Sequence, residues 1–371
     1  MKTARAIKFP QTEGIKYAGS KRKLLPYILR LAERTGARSV FDGFSGTTRV
    51  SQAFARTGWR VIANDTAVWS RTFGICYLKN EREPEYYAEL VEHLNSLPGK
   101  NGWFTENYGG ASVGGNSVGT DGLKKPFQSH NTKKLDAIRD EIDRLELDEP
   151  DKCVLLTSLI LALDKVDSTI GHHSSYLKRW SARSYGKLEM RVPDLIPSNN
   201  PHEVLNGDIF EAAPTITADL AYLDPPYGSN NELMPPSRVR YNAYYHLWTT
   251  VVLNDRPGLF GKAKRRCDSS DTSSASVFEE FRRNEDGTFI AVEALGSLLR
   301  SVRVGYVILS YSSGGRANSE SLIEMLRSAG DLVEVVEIDH KKNVMASMSW
   351  TGDWVRSPNR SNTEFLFLLK K

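Results

Sequence analysis

The chain is expected to fold as an α/β protein: a mostly parallel sheet covered on both faces and interrupted by a mainly helical insertion. Three observations predict this. Short apolar runs alternate with amphipathic segments, as in successive βα units. Several of these runs stop at Gly43-Phe44-Ser45-Gly46, Asn64-Asp65, Gly207-Asp208 and Asp224-Pro225-Pro226-Tyr227, residues that suit the carboxyl edge of an open sheet, where ligands sit. The alternation then breaks from about 81 to 200, where helical periodicity takes over.

Lys21–Glu33 reads as a helix, and Ser39–Phe41 as a short strand running into the Gly43–Gly46 turn. Thr47 can cap the helix that continues through Arg56. Arg60–Ala63 forms a second strand ending at Asn64-Asp65. Within the insertion, Lys133–Leu147 has a clear amphipathic period, and Asp151–Lys165 is an apolar helix expected to be buried. Tyr108–Gly122, dense in Gly, Ser and Asn, reads as a flexible loop rather than a packed element. Val204–Asn206, Leu220–Leu223 and Tyr306–Leu309 are later strands, and Ser321–Ala329 is a helix. Leu332–Ile338 and Phe365–Leu369 are the last two strands, close enough to pair antiparallel. A second interruption, Ser229–Ser276, contains the basic run Gly261–Arg266, and its Ser269–Ser276 end reads as a mobile surface connection. The expected division is 1–80 and 201–371 as two parts of one core, with 81–200 inserted between them.

Composition sets outer limits. The 371 residues, 40% hydrophobic and 25% charged, suit a soluble globular chain with a core domain and a sizeable insertion. A net charge of +4 and a pI near 8.8 permit a polyanionic partner without demanding one. Cys76, Cys153 and Cys267 are odd in number and lack CxxC spacing, which argues against a disulfide framework or a zinc site and suits a reducing cytoplasm. Met1–Pro10 has no apolar signal core, and no stretch approaches a membrane span.

The strand ends carry the chemistry. Asp224 can accept from an amino group, the two prolines leave nearby carbonyls free, and Tyr227 offers a face for a planar base. The same four residues also suit a plain proline-rich turn. Gly43 and Gly46 let backbone pass close to a ligand, but the turn is not the GxGxxG dinucleotide fingerprint. Asp65 could accept from two ribose hydroxyls, and Asp208 could reach an adenine amino group; each could equally be a helix cap. Tyr17 and Lys21 could close over the amino-acid end of a cofactor, or simply start a helix. Adjacent His172 and His173 read as loop or DNA-contact residues rather than metal ligands.

Taken in order, Tyr17-Ala18-Gly19-Ser20-Lys21, Phe41-Asp42-Gly43-Phe44-Ser45-Gly46, Asn64-Asp65, Gly207-Asp208 and Asp224-Pro225-Pro226-Tyr227 resemble the alpha group of N6-adenine DNA methyltransferases, the Dam-like bacterial enzymes. Asn131–Arg139, Tyr176–Trp180, Tyr245–Trp248, Gly261-Lys262 and Leu309–Ser312 look like segments of the restriction-modification branch. The likeness covers nearly the whole chain and is weakest at Tyr108–Gly122 and after Val344. Thr47-Thr48 after Gly46 departs from the commoner glycine loop, which puts the fine contacts of that turn in doubt.

The resemblance implies a Rossmann-like methyltransferase sheet with an antiparallel last strand and a helical DNA-recognition insertion. It implies S-adenosyl-L-methionine as donor, S-adenosyl-L-homocysteine as product, no metal, and a flipped adenine of double-stranded DNA as acceptor. Tyr17, Lys21, Asp42, Phe44, Gly46, Asp65, Asp208 and Ile209 would form the cofactor site. Asp224 and the Pro225 carbonyl would hold the amino group, Pro226 would stiffen the turn, and Tyr227 would stack on the base. Lys178, Arg179 and Arg183 are candidate base or phosphate contacts, and Lys262, Lys264, Arg265 and Arg266 candidate phosphate contacts. A separately encoded restriction endonuclease and a nucleoid-associated, cytoplasmic place in a bacterium complete the expectation. An RNA base amino-group methyltransferase and a DNA-binding homologue without catalysis are the competing readings.

Overall fold

The computed structural model describes residues 9–111, 114–197, 200–228, 240–270, 274–317, 319–340 and 362–371. Parts of the expected 108–122 loop, the 229–276 insertion, its serine-rich end and the stretch after Val344 lie outside these residues.

Seven strands form one sheet: β1 (Ser39–Asp42), β2 (Arg60–Asn64), β3 (Glu203–Leu205), β4 (Leu220–Leu223), β5 (Tyr306–Ser312), β6 (Asp331–His340) and β7 (Asn362–Lys370). Their spatial order is β6-β7-β5-β4-β1-β2-β3. The β5-β4-β1-β2-β3 pairings are parallel, whereas β7 runs antiparallel to both β5 and β6. This is the mostly parallel sheet with a reversed last strand that the sequence implies. Strand alternation splits the core by face. Val40, Val61, Tyr222 and Ile308 join Leu29, Phe54 and Trp69 on one side. Phe41, Ile62, Ala221 and Val307 join Leu295, Leu298 and Leu326 on the other.

The helices are α1 (Leu25–Glu33), α2 (Arg49–Arg56), α3 (Val68–Leu78), α4 (Pro84–Ser96), α5 (Trp103–Tyr108), α6 (Ser129–Arg144), α7 (Glu149–Val166), α8 (Ile209–Ala212), α9 (Tyr241–Tyr244), α10 (His246–Leu253), α11 (Ile290–Ser301) and α12 (Ser319–Ala329). The expected Lys21–Glu33 helix is split, with a 3₁₀ turn at Lys21–Lys23 before α1. Pro26 in the first turn of α1 lacks the N–H that would continue the ladder upstream. Thr47 does not cap α2: the cap position is Thr48, left-handed at φ 58°, and no side chain caps the helix.

The helices of 81–200 are present, and they share a core with the sheet. α7 packs on α3, and Leu135, Leu155, Leu159 and Trp248 belong to the same buried cluster as Val40 and Phe54. Within Tyr108–Gly122, the 108–110 stretch and Ser117 are packed, contrary to expectation, whereas Ala111, Gly114, Asn116, Thr120, Asp121 and Gly122 are exposed. Tyr108 is buried, Gly109–Gly110 pairs with Phe127–Gln128, and the Ser117 amide donates to the Lys178 carbonyl at 3.0 Å. Gly109 serves proximity here, since a Cβ on it would lie 2.6 Å from Thr132 Oγ1. Ser269 is likewise buried and donates to the Arg266 carbonyl at 2.7 Å, so the described start of the serine-rich run is anchored. Among the described residues, no helix is long and apolar enough to cross a membrane.

Candidate active site

The strand order reverses between β1 and β4, and a switch point of this kind opens a crevice beyond the carboxyl ends of the strands. A cavity of about 620 Å³ lies there, within the ~300–1,000 Å³ usual for small-molecule sites. Its walls include Tyr17, Phe44, Asp65, Asp208, Asp224 and Phe278. Gly43 donates to the Tyr222 carbonyl at 3.0 Å, tying the turn after β1 to β4. A Cβ there would come within 2.9 Å of both Ile209 Cδ1 and Leu223 Cδ2, so only glycine fits without displacing its neighbours.

Asp65 organises the turn. Its carboxylate accepts from the Gly46 amide at 2.8 Å and the Ala67 amide at 2.9 Å, which leaves lone pairs on both oxygens for a ligand. Burial pushes its carboxyl upward against the pull of these amides. Gly46, at φ 47°, does not line the cavity and acts through this contact. Asp42 does not reach the cavity either. It lies wholly buried beneath the turn, accepts from Ser51 Oγ at 2.6 Å, and is pushed up to about 7 by burial. A direct Asp42–cofactor contact is therefore corrected to a supporting place under the turn. Asp208 is both cavity wall and cap: it is exposed and accepts from the Phe210 amide at 2.7 Å to start α8, with Ile209 beside it. Phe278 sits edge-on to Phe44 at 5.4 Å and stacks on Phe210 at 5.6 Å, giving that end of the cavity an aromatic wall.

At the other end the Asp-Pro-Pro-Tyr turn follows β4. The Tyr227 hydroxyl donates to Asp224 Oδ1 and lies 3.0 Å from Ser310 Oγ. Lys21 Nζ is 3.1 Å from Asp224 Oδ1, 2.7 Å from the Tyr227 hydroxyl and 3.7 Å from Glu364 Oε2. The ammonium expected to pair a cofactor carboxylate is thus engaged by Asp224 and Tyr227. Burial raises the Asp224 carboxyl, and Lys21 opposes it. Tyr17 stacks on Tyr245 at 4.6 Å and adjoins Trp69 and Tyr241, an aromatic group above the cavity that the sequence did not assemble.

This geometry agrees with the comparisons with known proteins. Residues 17–280 match the family described as D12 class N6 adenine-specific DNA methyltransferase. The chain belongs to that family. It is 27% identical over 375 residues to the modification methylase StsI of Streptococcus sanguinis, covering 96% of this chain and 52% of that one. It therefore spans about half the length of that relative. It is 26% identical over 329 residues to the type II methyltransferase M.NlaIII of Neisseria lactamica (86% and 90% covered). It is also 25% identical over 390 residues to the type II methyltransferase M2.HphI of Haemophilus parahaemolyticus (97% and 98% covered).

For a D12 class chain, the basic side chains sort sharply by what they touch. Lys178 and Arg179 are exposed beside the bridge that links Asn116 to Arg179, and Lys262 is exposed on the 261–264 turn. Arg183 is committed inward: it pairs with Asp167 at 2.5 Å and donates to the Asp167 and Thr169 carbonyls. Arg266 is buried and held by Asp255 and Asp268 at 2.7 Å each. Lys264 donates to Asn107 Oδ1 at 3.1 Å, and Arg265 lies over the Phe260 ring and donates to the Ser269 carbonyl. The expected contact from Arg266 to DNA is corrected to a structural one, because Arg266 is buried and its charge is held by Asp255 and Asp268; Arg183 also serves the fold through Asp167 while its side chain stays about a third exposed.

His172 and His173 are not surface contacts. His172 stacks on Tyr244 at 4.3 Å, and His173 meets the edge of Trp248 at 4.5 Å. Burial lowers them to about 4 and about 3 respectively, so both are neutral at ordinary pH. Among the described residues no cluster of three or more His, Cys, Asp or Glu is arranged to hold a metal ion.

Proposed function

We propose that the chain moves a methyl group from S-adenosyl-L-methionine to N6 of an adenine in duplex DNA at a specific sequence, the modification half of a restriction-modification pair. The observation that carries this reading is one continuous cavity joining the Asp65-anchored turn to Asp224–Tyr227 across the switch point. The residues present fit an adenosine-bearing cofactor: an acid with spare lone pairs at the end of β2, an aromatic wall at Phe44 and Phe278, and a glycine, Gly43, where a Cβ would displace Ile209 and Leu223. S-adenosyl-L-methionine supplies an electrophilic methyl group on a sulfonium centre.

The side chains of this chain supply positioning. An adenine amino lone pair is delocalised into the ring and is a poor nucleophile. Asp224 and the Pro225 carbonyl, accepting from the two N–H bonds, favour a pyramidal nitrogen with its lone pair directed outward. Tyr227 then stacks on the base, and Asp224 is placed to receive the proton that leaves after transfer. Because the amino group is paired in the duplex, the base must swing out of the stack to enter the pocket. In this reading Lys178 and Arg179, exposed at the edge of the helical segment, read base edges, and Lys262, exposed on its turn, holds the backbone. An endonuclease of matching specificity, encoded separately, is the partner this role expects, with bacterial cytoplasmic DNA as the substrate.

The test is direct. Purified chain, methyl-labelled S-adenosyl-L-methionine, and unmethylated duplex DNA or RNA are combined, and the modified base is identified by mass spectrometry. N6-methyladenine confined to one DNA sequence is the expected result. Label in RNA alone, or none despite cofactor binding, would overturn it.

A further inference from the structure

Glu364 opens the one strand that runs against its neighbours, and that reversal has a chemical result. Because β7 is antiparallel, its first residues lie at the edge where β4 and β5 end, with Glu364 opposite Ser312 across the β5 pairing. The Glu364 side chain is only 13% exposed, and its Oε2 lies 3.7 Å from Lys21 Nζ and 3.4 Å from the Tyr227 hydroxyl. Lys21 and Asp224 are similarly enclosed, at 7% and 17%. A single buried ammonium thus faces two buried carboxylates, and one positive charge cannot fully neutralise both. Position 364 lies beyond the part of the chain matched by the family, 17–280, and outside every segment the sequence singled out.

We propose that Glu364 is a positioning residue for methyl transfer: it divides the Lys21 charge with Asp224, and so keeps Asp224 a strong acceptor for the target amino group. The inference rests on the reading of Asp224 as the amino-group holder. The Tyr227 hydroxyl has one proton to give; it donates to Asp224, while Lys21 donates to it at 2.7 Å. Glu364, 3.7 Å from the same ammonium that contacts Asp224 at 3.1 Å, competes with Asp224 for its charge. The titratable groups facing Glu364 in the described residues are Lys21 from the N-terminal segment, Asp224 and Tyr227 beyond β4, and Tyr222 within β4. Ser310 of β5 touches the same hydroxyl and does not titrate. Burial raises both carboxyls, Lys21 opposes the rise in each, and the Asp224 carboxylate adds to the rise at Glu364.

The sign follows. Glu364→Gln keeps the shape and removes the charge, so Lys21 is committed to Asp224 and the proton affinity of Asp224 falls. The acid limb of kcat should move to lower pH, and the plateau should drop about tenfold, less than the ~100-fold loss of a deleted transition-state donor. The KM for S-adenosyl-L-methionine should stay within about twofold, since the donor contacts lie elsewhere. Glu364→Asp should return the limb toward its wild-type position. The measurement is single-turnover methyl transfer to unmethylated duplex DNA across the acid and neutral range, with circular dichroism on each variant. A glutamine variant with wild-type kcat and limb, a limb displaced upward, or a variant that loses its fold would each make Glu364 a strand residue only. A wild-type chain that leaves duplex adenine unmethylated would remove the underlying reading, and the proposal with it.

Discussion

Replacing Asp224 by alanine should slow methyl transfer by about 100-fold while leaving the fold and the donor pocket in place. The structure explains why the two effects separate. Asp224 is paired with Lys21 at 3.1 Å, and its removal would ordinarily strand a buried cation at a cost of ~3–5 kcal/mol. Here Lys21 keeps the Tyr227 hydroxyl at 2.7 Å and Glu364 at 3.7 Å, so its charge retains a partner and the stability loss should be well below that range. The Gly46 and Ala67 bonds to Asp65 do not involve Asp224, so affinity for S-adenosyl-L-methionine should change by a few-fold at most. Transfer itself loses a charge-assisted acceptor that works hardest in the transition state, a loss of ~3 kcal/mol or ~100-fold in rate. Single-turnover labelling of unmethylated duplex, alongside calorimetric titration of the donor, reads both quantities. Transfer within tenfold of wild type would refute the role of Asp224. Equal losses in donor affinity and rate would instead place it in the donor site.

Other perturbations test other parts of the molecule. Asp65→Ala should weaken S-adenosyl-L-methionine by roughly tenfold or more, since it removes a charged acceptor and releases two amides; calorimetry with unchanged cofactor-free DNA binding checks it. Lys262→Ala should weaken cognate and random duplexes alike and reduce the salt slope by about 1, whereas Lys178→Ala or Arg179→Ala should narrow their gap by ~1–3 kcal/mol if either pairs with guanine. Arg266→Ala should instead lower stability by about 2 kcal/mol, read by denaturant titration, because its partners are Asp255 and Asp268. His173 is lowered to about 3 by burial, so the unfolded chain binds its proton first as pH falls below the ordinary ~6.5. Stability tied to it is present above that value and lost on acidification, by ~2 kcal/mol at about pH 5. His173→Phe should flatten this loss in thermal melts, and an unchanged slope would count against burial as its cause.

What was legible from the sequence was what local chemistry determines. β4 and its Asp-Pro-Pro-Tyr turn could be read because an apolar run meets two prolines, and the β6–β7 pairing because two β-rich runs lie near the chain end. α3 carries no such signal because it is apolar almost all round: Trp69, Phe73, Cys76 and Tyr77 are buried between the sheet and α7, so no amphipathic period marks it. The glycines of 109–122 suggest flexibility, whereas Gly109 permits close approach to α6 and Gly110 to Lys125 and Trp180. Charge misled in the same way. Arg266 looks like its basic neighbours until Asp255 and Asp268 fold onto it. Phe278, which lines the cavity, and Glu364 and Tyr245, which touch Lys21 and Tyr17 behind it, could not be assigned, because topology alone brings these distant segments together.

The shared core between residues 81–200 and the sheet bears on how target preference can change over descent. A recognition module on a hinge can be traded between relatives as a cassette. Here α7 lies against α3, and Leu155 and Leu159 belong to the same buried cluster as Trp69 and Phe54. A transplanted segment would have to match those shapes or leave voids in the host. On the proposed roles of Lys178 and Arg179, new sequence preferences would be easier to acquire by single replacements at such exposed positions, which leave the packed core undisturbed.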